Sequence, residues 1–113
     1  MKFWRIAVLV SLVCSFQTLA ADVWHTAKIK HVYPLSQGDF ILRFEQDSPA
    51  CLNGNTPRYY YVAVGQNGVT ADGLKILLSV SLAAAAQKKS VVINFSDSTD
   101  ACYINRLSVD FSE

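Results

Sequence analysis

The sequence predicts a mainly β fold with one helix (α+β), and three observations carry that reading. Only Thr70–Lys89 (TADGLKILLSVSLAAAAQKK) is long enough and rich enough in Ala and Leu to make a full helix. On either side of it, short β-branched and aromatic runs alternate with Gly, Pro, Asn and Ser clusters, the mark of strands and turns. An apolar leader occupies the start of the chain, so the remaining residues have room for one modest core.

The leader reads as a signal peptide over residues 1–20. Lys2 and Arg5 supply a positive start, Ile6–Phe16 (IAVLVSLVCSF) a short apolar core, and Thr18 and Ala20 the small residues of a cleavage site after Ala20. About 11 apolar residues are too few to span roughly 30 Å of hydrocarbon, so no stable membrane insertion is expected. Cys14 does not mark a lipoprotein, because Val13 precedes it where Gly, Ala or Ser is wanted. Residues 21–113 are therefore expected to be exported through the secretory pathway as one domain, periplasmic or extracellular. Loss of Lys2 and Arg5 takes the formal net charge from +1 to about −1. A near-neutral chain with no long basic run is not expected to bind nucleic acid or an anionic membrane as its main partner.

Five strands are expected, in order. Trp24–Tyr33 (WHTAKIKHVY) alternates only in part, since Ile29 and Val32 differ in parity, and a bulge between them reconciles the two. Pro34 ends that run. Ser36-Gln37-Gly38-Asp39 then turns the chain into Phe40–Glu45 (FILRFE), with Phe40, Leu42 and Phe44 inward and Arg43 and Glu45 outward. An irregular stretch, Asp47–Pro57, holds Cys51 and an Asn53-Gly54 turn. Arg58–Val64 (RYYYVAV) is the third strand, and Gly65-Gln66-Asn67-Gly68 leads into the helix. Beyond the helix come Ser90–Phe95 (SVVINF), the polar turn Ser96–Asp100, and Tyr103–Phe111 (YINRLSVDF) with Leu107, Val109 and Phe111 on one face.

Within the helix, Thr70 is the N-cap, Asp72 lies in the first turn, and Lys88 and Lys89 close the last turn, in keeping with the helix dipole. Ala71, Leu74, Leu77, Leu78, Ser81, Leu82 and Ala85 fall on one face, toward a sheet. A second apolar set, Ile76, Val80, Ala83 and Ala84, lies on the far side. It is a candidate subunit interface for a homo-oligomer, with loops of the same chain as the alternative cover.

With Cys14 in the leader, Cys51 and Cys102 remain, and in an exported domain of this size two cysteines read as one disulfide. Chain entropy values a loop of that length at about 4 kcal/mol. The pair lacks the close spacing and accompanying His that a metal or redox site needs.

The order β-β-β-α-β-β, in under about 100 residues, suits an OB-like five-stranded barrel with its helix between strands three and four. A meander with a helix on one face gives the same string. The barrel is preferred because Cys51 and Cys102 precede strands three and five at similar offsets, so that one disulfide ties two neighbouring loops.

An exported chain, a β-hairpin, a Cys, a Tyr-rich strand, the helix LKILLSVSLAAAAQKK, the strand VVINF, a second Cys and the ending INRLSVDF make a recognisable series. The series resembles the small exported proteins related to the B subunit of subtilase cytotoxin. Its motifs are the two cysteines, a Leu/Ala helix followed by Lys-Lys, and an Ile-x-x-Leu-x-Val ending, and it covers essentially the whole chain after the leader. The resemblance implies an OB-fold and, for the toxin member, a glycan-binding pentamer. No motif of that member's sugar contacts is matched, so none of its site residues is carried over.

Tyr59, Tyr60 and Tyr61 are the leading ligand-binding candidates. Alternation means they cannot all face the core: either Tyr60 points outward, or Tyr59 and Tyr61 do. An exposed tyrosine offers a flat apolar face with a hydroxyl, fit for stacking on sugars or for a protein interface, and cross-strand packing is its alternative role. Trp24 carries the same ambiguity. His25 and His31, six apart on strand one, share a side under strict alternation and open the reading of a small exported enzyme or metal protein. No third ligand or nucleophile elbow accompanies them, and Asp97 and Asp100 read as a hairpin turn in place of a calcium loop. Asn94-Phe95-Ser96 is formally a glycosylation sequon. The expectation is an exported, non-enzymatic binding module for a glycan or protein ligand, with no catalytic residue, metal or cofactor. Its alternatives are the two-histidine protein and a monomeric periplasmic accessory or inhibitor protein.

Overall fold

In the computed structural model, which describes residues 22–112, strand β1 (Asp22–Pro34) belongs to two ladders. The signal peptide read at residues 1–20 lies outside the described residues. Asp22–Lys28 of β1 pairs antiparallel with β4 (Ser90–Ser96), and Ile29–Pro34 pairs antiparallel with β2 (Phe40–Phe44). Between Ile29 and His31 the register shifts, with Lys30 as the extra residue. This is the bulge that parity required. It turns Ile29 and Val32 to the same inner side, where both pack against the core.

Strand β3 (Tyr60–Val62) adds to β2, and β5 (Ile104–Val109) adds to β4, giving one antiparallel sheet in the order β3-β2-β1-β4-β5. The sheet is not closed by strand pairing. Among the described residues a single backbone bond, from the Tyr61 N–H to the Ala101 carbonyl at 3.2 Å, links β3 to the segment before β5. β3 is shorter than the predicted Arg58–Val64 because side chains claim its leading backbone. The Asp47 carboxylate accepts from the Arg58 N–H, and the Asn53 carboxamide pairs with Tyr59. β5 likewise stops at Val109, which leaves Phe111 exposed beyond it.

The core lies between the inner face of the sheet and helix α1 (Ala71–Ala86), which packs on β1 and β5. Phe40, Leu42 and Phe44 supply its centre, as alternation predicted, against Tyr60, Ile93 and Phe95. Thr70 caps the helix, its hydroxyl accepting from the Gly73 N–H at 3.0 Å. The predicted sheet-facing side holds at Leu74, Leu77, Leu78 and Ser81, but the helix is turned slightly from the predicted orientation. Leu74, Ser81 and Ala84 are buried, whereas Ala71 and Leu82 face solvent. Ala84 is therefore a core residue and not part of an outer interface. Apolar residues surround this helix, so the wheel alone does not choose its rotation. The choice falls to the small Ala84, which admits close approach to the sheet, and to Ser81, whose hydroxyl donates to the Leu77 carbonyl at 2.7 Å. Ile76 is 64% exposed, and Val80 and Ala83 are half-buried. Lys88 and Lys89 lie beyond the helix, so its last turn carries no basic residue.

Cys51 and Cys102 form the expected disulfide, with Cα atoms 5.7 Å apart. It ties the segment before β3 to the segment before β5, at the ends where the sheet has no ladder.

Candidate functional site: a tyrosine strip on the outer face

Tyr60 points inward and is fully buried, so Tyr59 and Tyr61 point outward. That corrects Tyr60 as a ligand contact: its ring packs edge-on against Phe44 and Phe95, and its oxygen accepts from the Ser48 N–H at 2.8 Å. Burial pushes its pKa up to about 12, the reverse of what an exposed phenol at a binding face experiences.

The register places Tyr59 and Tyr61 among unexpected neighbours. Tyr33, Ile41 and Tyr61 form one cross-strand row, and His31 and Arg43 form the next, beside Tyr59. Rings run in a chain across the outer face. His31 stacks on Tyr33 at 5.7 Å between centroids, Tyr33 meets Tyr59 at 6.3 Å, Tyr59 meets Tyr61 at 6.2 Å, and Tyr61 meets Tyr103 at 6.3 Å. Ile41, on the outer side by alternation, is nevertheless only 2% exposed, because this row covers it. The strip therefore has a buried apolar residue at its floor and tyrosine rings, each with a hydroxyl, around it.

Arg43 supplies its charge. The guanidinium lies 5.4 Å from the centre of the Tyr59 ring, Nη2 donates to the Thr56 carbonyl at 3.0 Å, and Nη1 lies 3.4 Å from His31 Nδ1. Its buried Nε has no hydrogen-bond partner. A cation held against a ring by these contacts is pre-oriented, and the strip can offer stacking and a fixed donor together. Tyr103 is held from behind, its carbonyl accepting from Asn67 Nδ2 at 2.8 Å.

The other predicted candidates fall elsewhere. Trp24, 60% exposed, faces outward at the far end of β1, nine residues from Tyr33, or roughly 30 Å along an extended strand. It packs beside Arg106, 5.8 Å from ring centre to guanidinium, and does not join the strip. The Lys30 bulge sends the two histidines to opposite sides of β1. His25 turns inward, stacked on Tyr60 and with Nε2 2.7 Å from the Gln46 carbonyl, while His31 turns outward. They do not form a pair. Asn94 sits buried in the row between Trp24 and Arg106, so its sequon is covered in the folded chain.

Comparison with family models, curated proteins and solved structures returns no match for this chain. Its site is read from its own geometry.

Sequence reasoning named Tyr59 and Tyr61 but missed Tyr33, Tyr103, Ile41 and the role of Arg43. The signal for Tyr33 was present. A hairpin that pairs Pro34 with Phe40 puts Tyr33 opposite Ile41, on the side Tyr61 occupies once Tyr60 is inward. Tyr103 carried no such signal, because the disulfide and the Tyr61–Ala101 bond bring it alongside β3.

Proposed function

We propose that this chain is an exported, non-enzymatic binding module that takes a glycan or protein ligand on the tyrosine strip. One observation carries the reading: Tyr33, Tyr59, Tyr61 and Tyr103 form an unbroken outer surface with Arg43 laid against it. Tyrosine gives large contact area at low entropic cost, together with a hydroxyl, which suits sugar rings and protein surfaces alike. The strand order, with the helix between β3 and β4, is that of an OB barrel opened between β3 and β5. In that fold the face of strands two and three is a common ligand platform, and Arg43, Ile41 and Tyr61 stand there. This supports the OB reading, the fold that the resemblance to the subtilase cytotoxin B-subunit relatives implies.

The test is a glycan and protein-ligand screen on the oxidised chain, repeated with Tyr59→Ala and Tyr61→Ala. A ligand lost by more than about tenfold in both, and kept in Trp24→Ala, places binding on the strip. A ligand that ignores both tyrosines refutes it.

The same reading makes the chain a homo-oligomer through the outer side of α1, where Ile76 and Leu82 are exposed. A ring-sized solution mass that falls to the monomer in Ile76→Glu supports this. A monomer unaffected by that change favours the accessory or inhibitor role. The two-histidine reading loses its geometric basis, since the bulge separates His25 from His31.

A further inference from the structure

A trough of about 470 Å³ crosses the outer face of the β1–β4–β5 half of the sheet, away from the tyrosine strip. Its floor is one cross-strand row, Thr26–Val92–Ser108, and Ser90 lies beside that row opposite Lys28. Three lysines are among its lining residues, Lys28 from β1 and Lys88 and Lys89 from the turn between α1 and β4. Asp110 is the single carboxylate among the lining residues; the hydroxyl and the N–H of Ser112 donate to it and Lys89 acts on it electrostatically, which keeps it ionised. The lining therefore keeps an excess of positive charge over a floor rich in hydroxyls.

Lys88 stands apart from the other two lysines by its backbone. It sits just past the end of α1 with φ 52°, in the left-handed region. Its N–H donates to the Ala85 carbonyl at 3.2 Å, and the Lys89 N–H donates to the Ala84 carbonyl at 3.0 Å. Those paired bonds define a helix stop whose left-handed position glycine fills without cost, whereas a residue with a β-carbon is strained there. Residues held in this region cluster at functional sites, where the surrounding structure fixes them.

We infer that the trough binds an oxyanion, the phosphate or sulfate ester group of a ligand, with Lys88 as its main charge. Lysine is a compact point charge suited to such groups, and Thr26, Ser90 and Ser108 bring hydroxyl donors to the same floor. The site is separate from the tyrosine strip and stands whether or not the strip binds.

The experiment titrates the oxidised chain with inorganic pyrophosphate while amide NMR shifts and the melting temperature are followed. Saturable shifts are expected at Thr26, Lys89, Ser90 and Ser108. Lys88→Gly is expected to raise the melting temperature of the free chain and yet weaken pyrophosphate by about fivefold. Lys75→Gln, on the exposed side of α1, should change neither. Sedimentation with phosphatidylcholine vesicles containing phosphatidic acid distinguishes the sources: binding lost in Lys88→Gly assigns a lipid-borne phosphate, and no binding assigns a soluble ligand. The inference is overturned by absent or unsaturable shifts, by unchanged affinity in Lys88→Gly, by a lowered melting temperature in that variant, or by equal weakening in Lys75→Gln.

Discussion

Asn53 takes the place of a strand. Its Nδ2 donates to the Tyr59 carbonyl at 2.8 Å and its Oδ1 accepts from the Tyr59 N–H at 3.1 Å, the two bonds a neighbouring strand would make. The same Nδ2 reaches the Asp100 carbonyl at 3.0 Å, so one side chain holds the backbone of the strip and braces two loops. Asn53→Ala leaves these half-buried backbone groups unpaired, and a loss of about 2–3 kcal/mol is expected in denaturant unfolding. Asn53→Asp should lose nearly as much, because a carboxylate cannot donate to either carbonyl. A loss under about 0.5 kcal/mol would show that the disulfide alone holds this region. Tyr60 gives a second residue-scale test. With its pKa pushed up to about 12 by burial, the folded chain keeps a proton that an unfolded chain releases near pH 10. The stability is present in full below about pH 10 and falls by about 2–3 kcal/mol as pH rises to about 12. Tyr60→Phe should lose the Ser48 hydrogen bond at neutral pH and flatten this alkaline decline. Equal alkaline slopes in the two proteins would refute the burial argument.

At the scale of the element, α1 is defined by its ends and its rotation. Thr70→Ala removes the acceptor for the Gly73 N–H and should cost about 1 kcal/mol in thermal or denaturant unfolding. The rotation is tested by a pair of substitutions. Ala84→Leu forces extra volume between helix and sheet and should destabilise by about 1–3 kcal/mol. Leu82→Gln alters only an exposed position and should stay within about 0.5 kcal/mol. The reverse ranking would mean that the helix packs as the wheel alone predicted. β1 shows the same dependence on one residue: if Lys30 were paired in regular alternation instead of bulged, Ile29 and Val32 would fall on opposite faces and one of its ladders would break.

For the whole molecule, the weak seam is between β3 and β5. Three devices cross it: the Cys51–Cys102 disulfide, the Asn53 brace and the Tyr61–Ala101 bond. Replacing both cysteines by serine should cost about 4 kcal/mol in the loop-entropy account. Because Tyr103 follows Cys102 directly, the tyrosine strip should come apart with it. The check is unfolding of the double variant together with its ligand binding. A variant that keeps both would move the support for the seam onto Asn53.

Much of this architecture was legible in the residues. Turn chemistry and alternation mark the β2 core positions, the bulge in β1, the helix with its Thr70 cap and the pairing of two cysteines, because each depends on local periodicity or on chemistry that admits one partner. Tertiary structure decided the rest. The rotation of α1 depended on which small residue could approach the sheet, and the three tyrosines needed the neighbouring strands to choose a side. Tyr33 and Tyr103 joined Tyr59 and Tyr61 only through a hairpin register and a cross-link that act over long separations. Local patterns state what a segment prefers; the strip and the trough exist because packing sets side by side segments whose own preferences carry no record of each other.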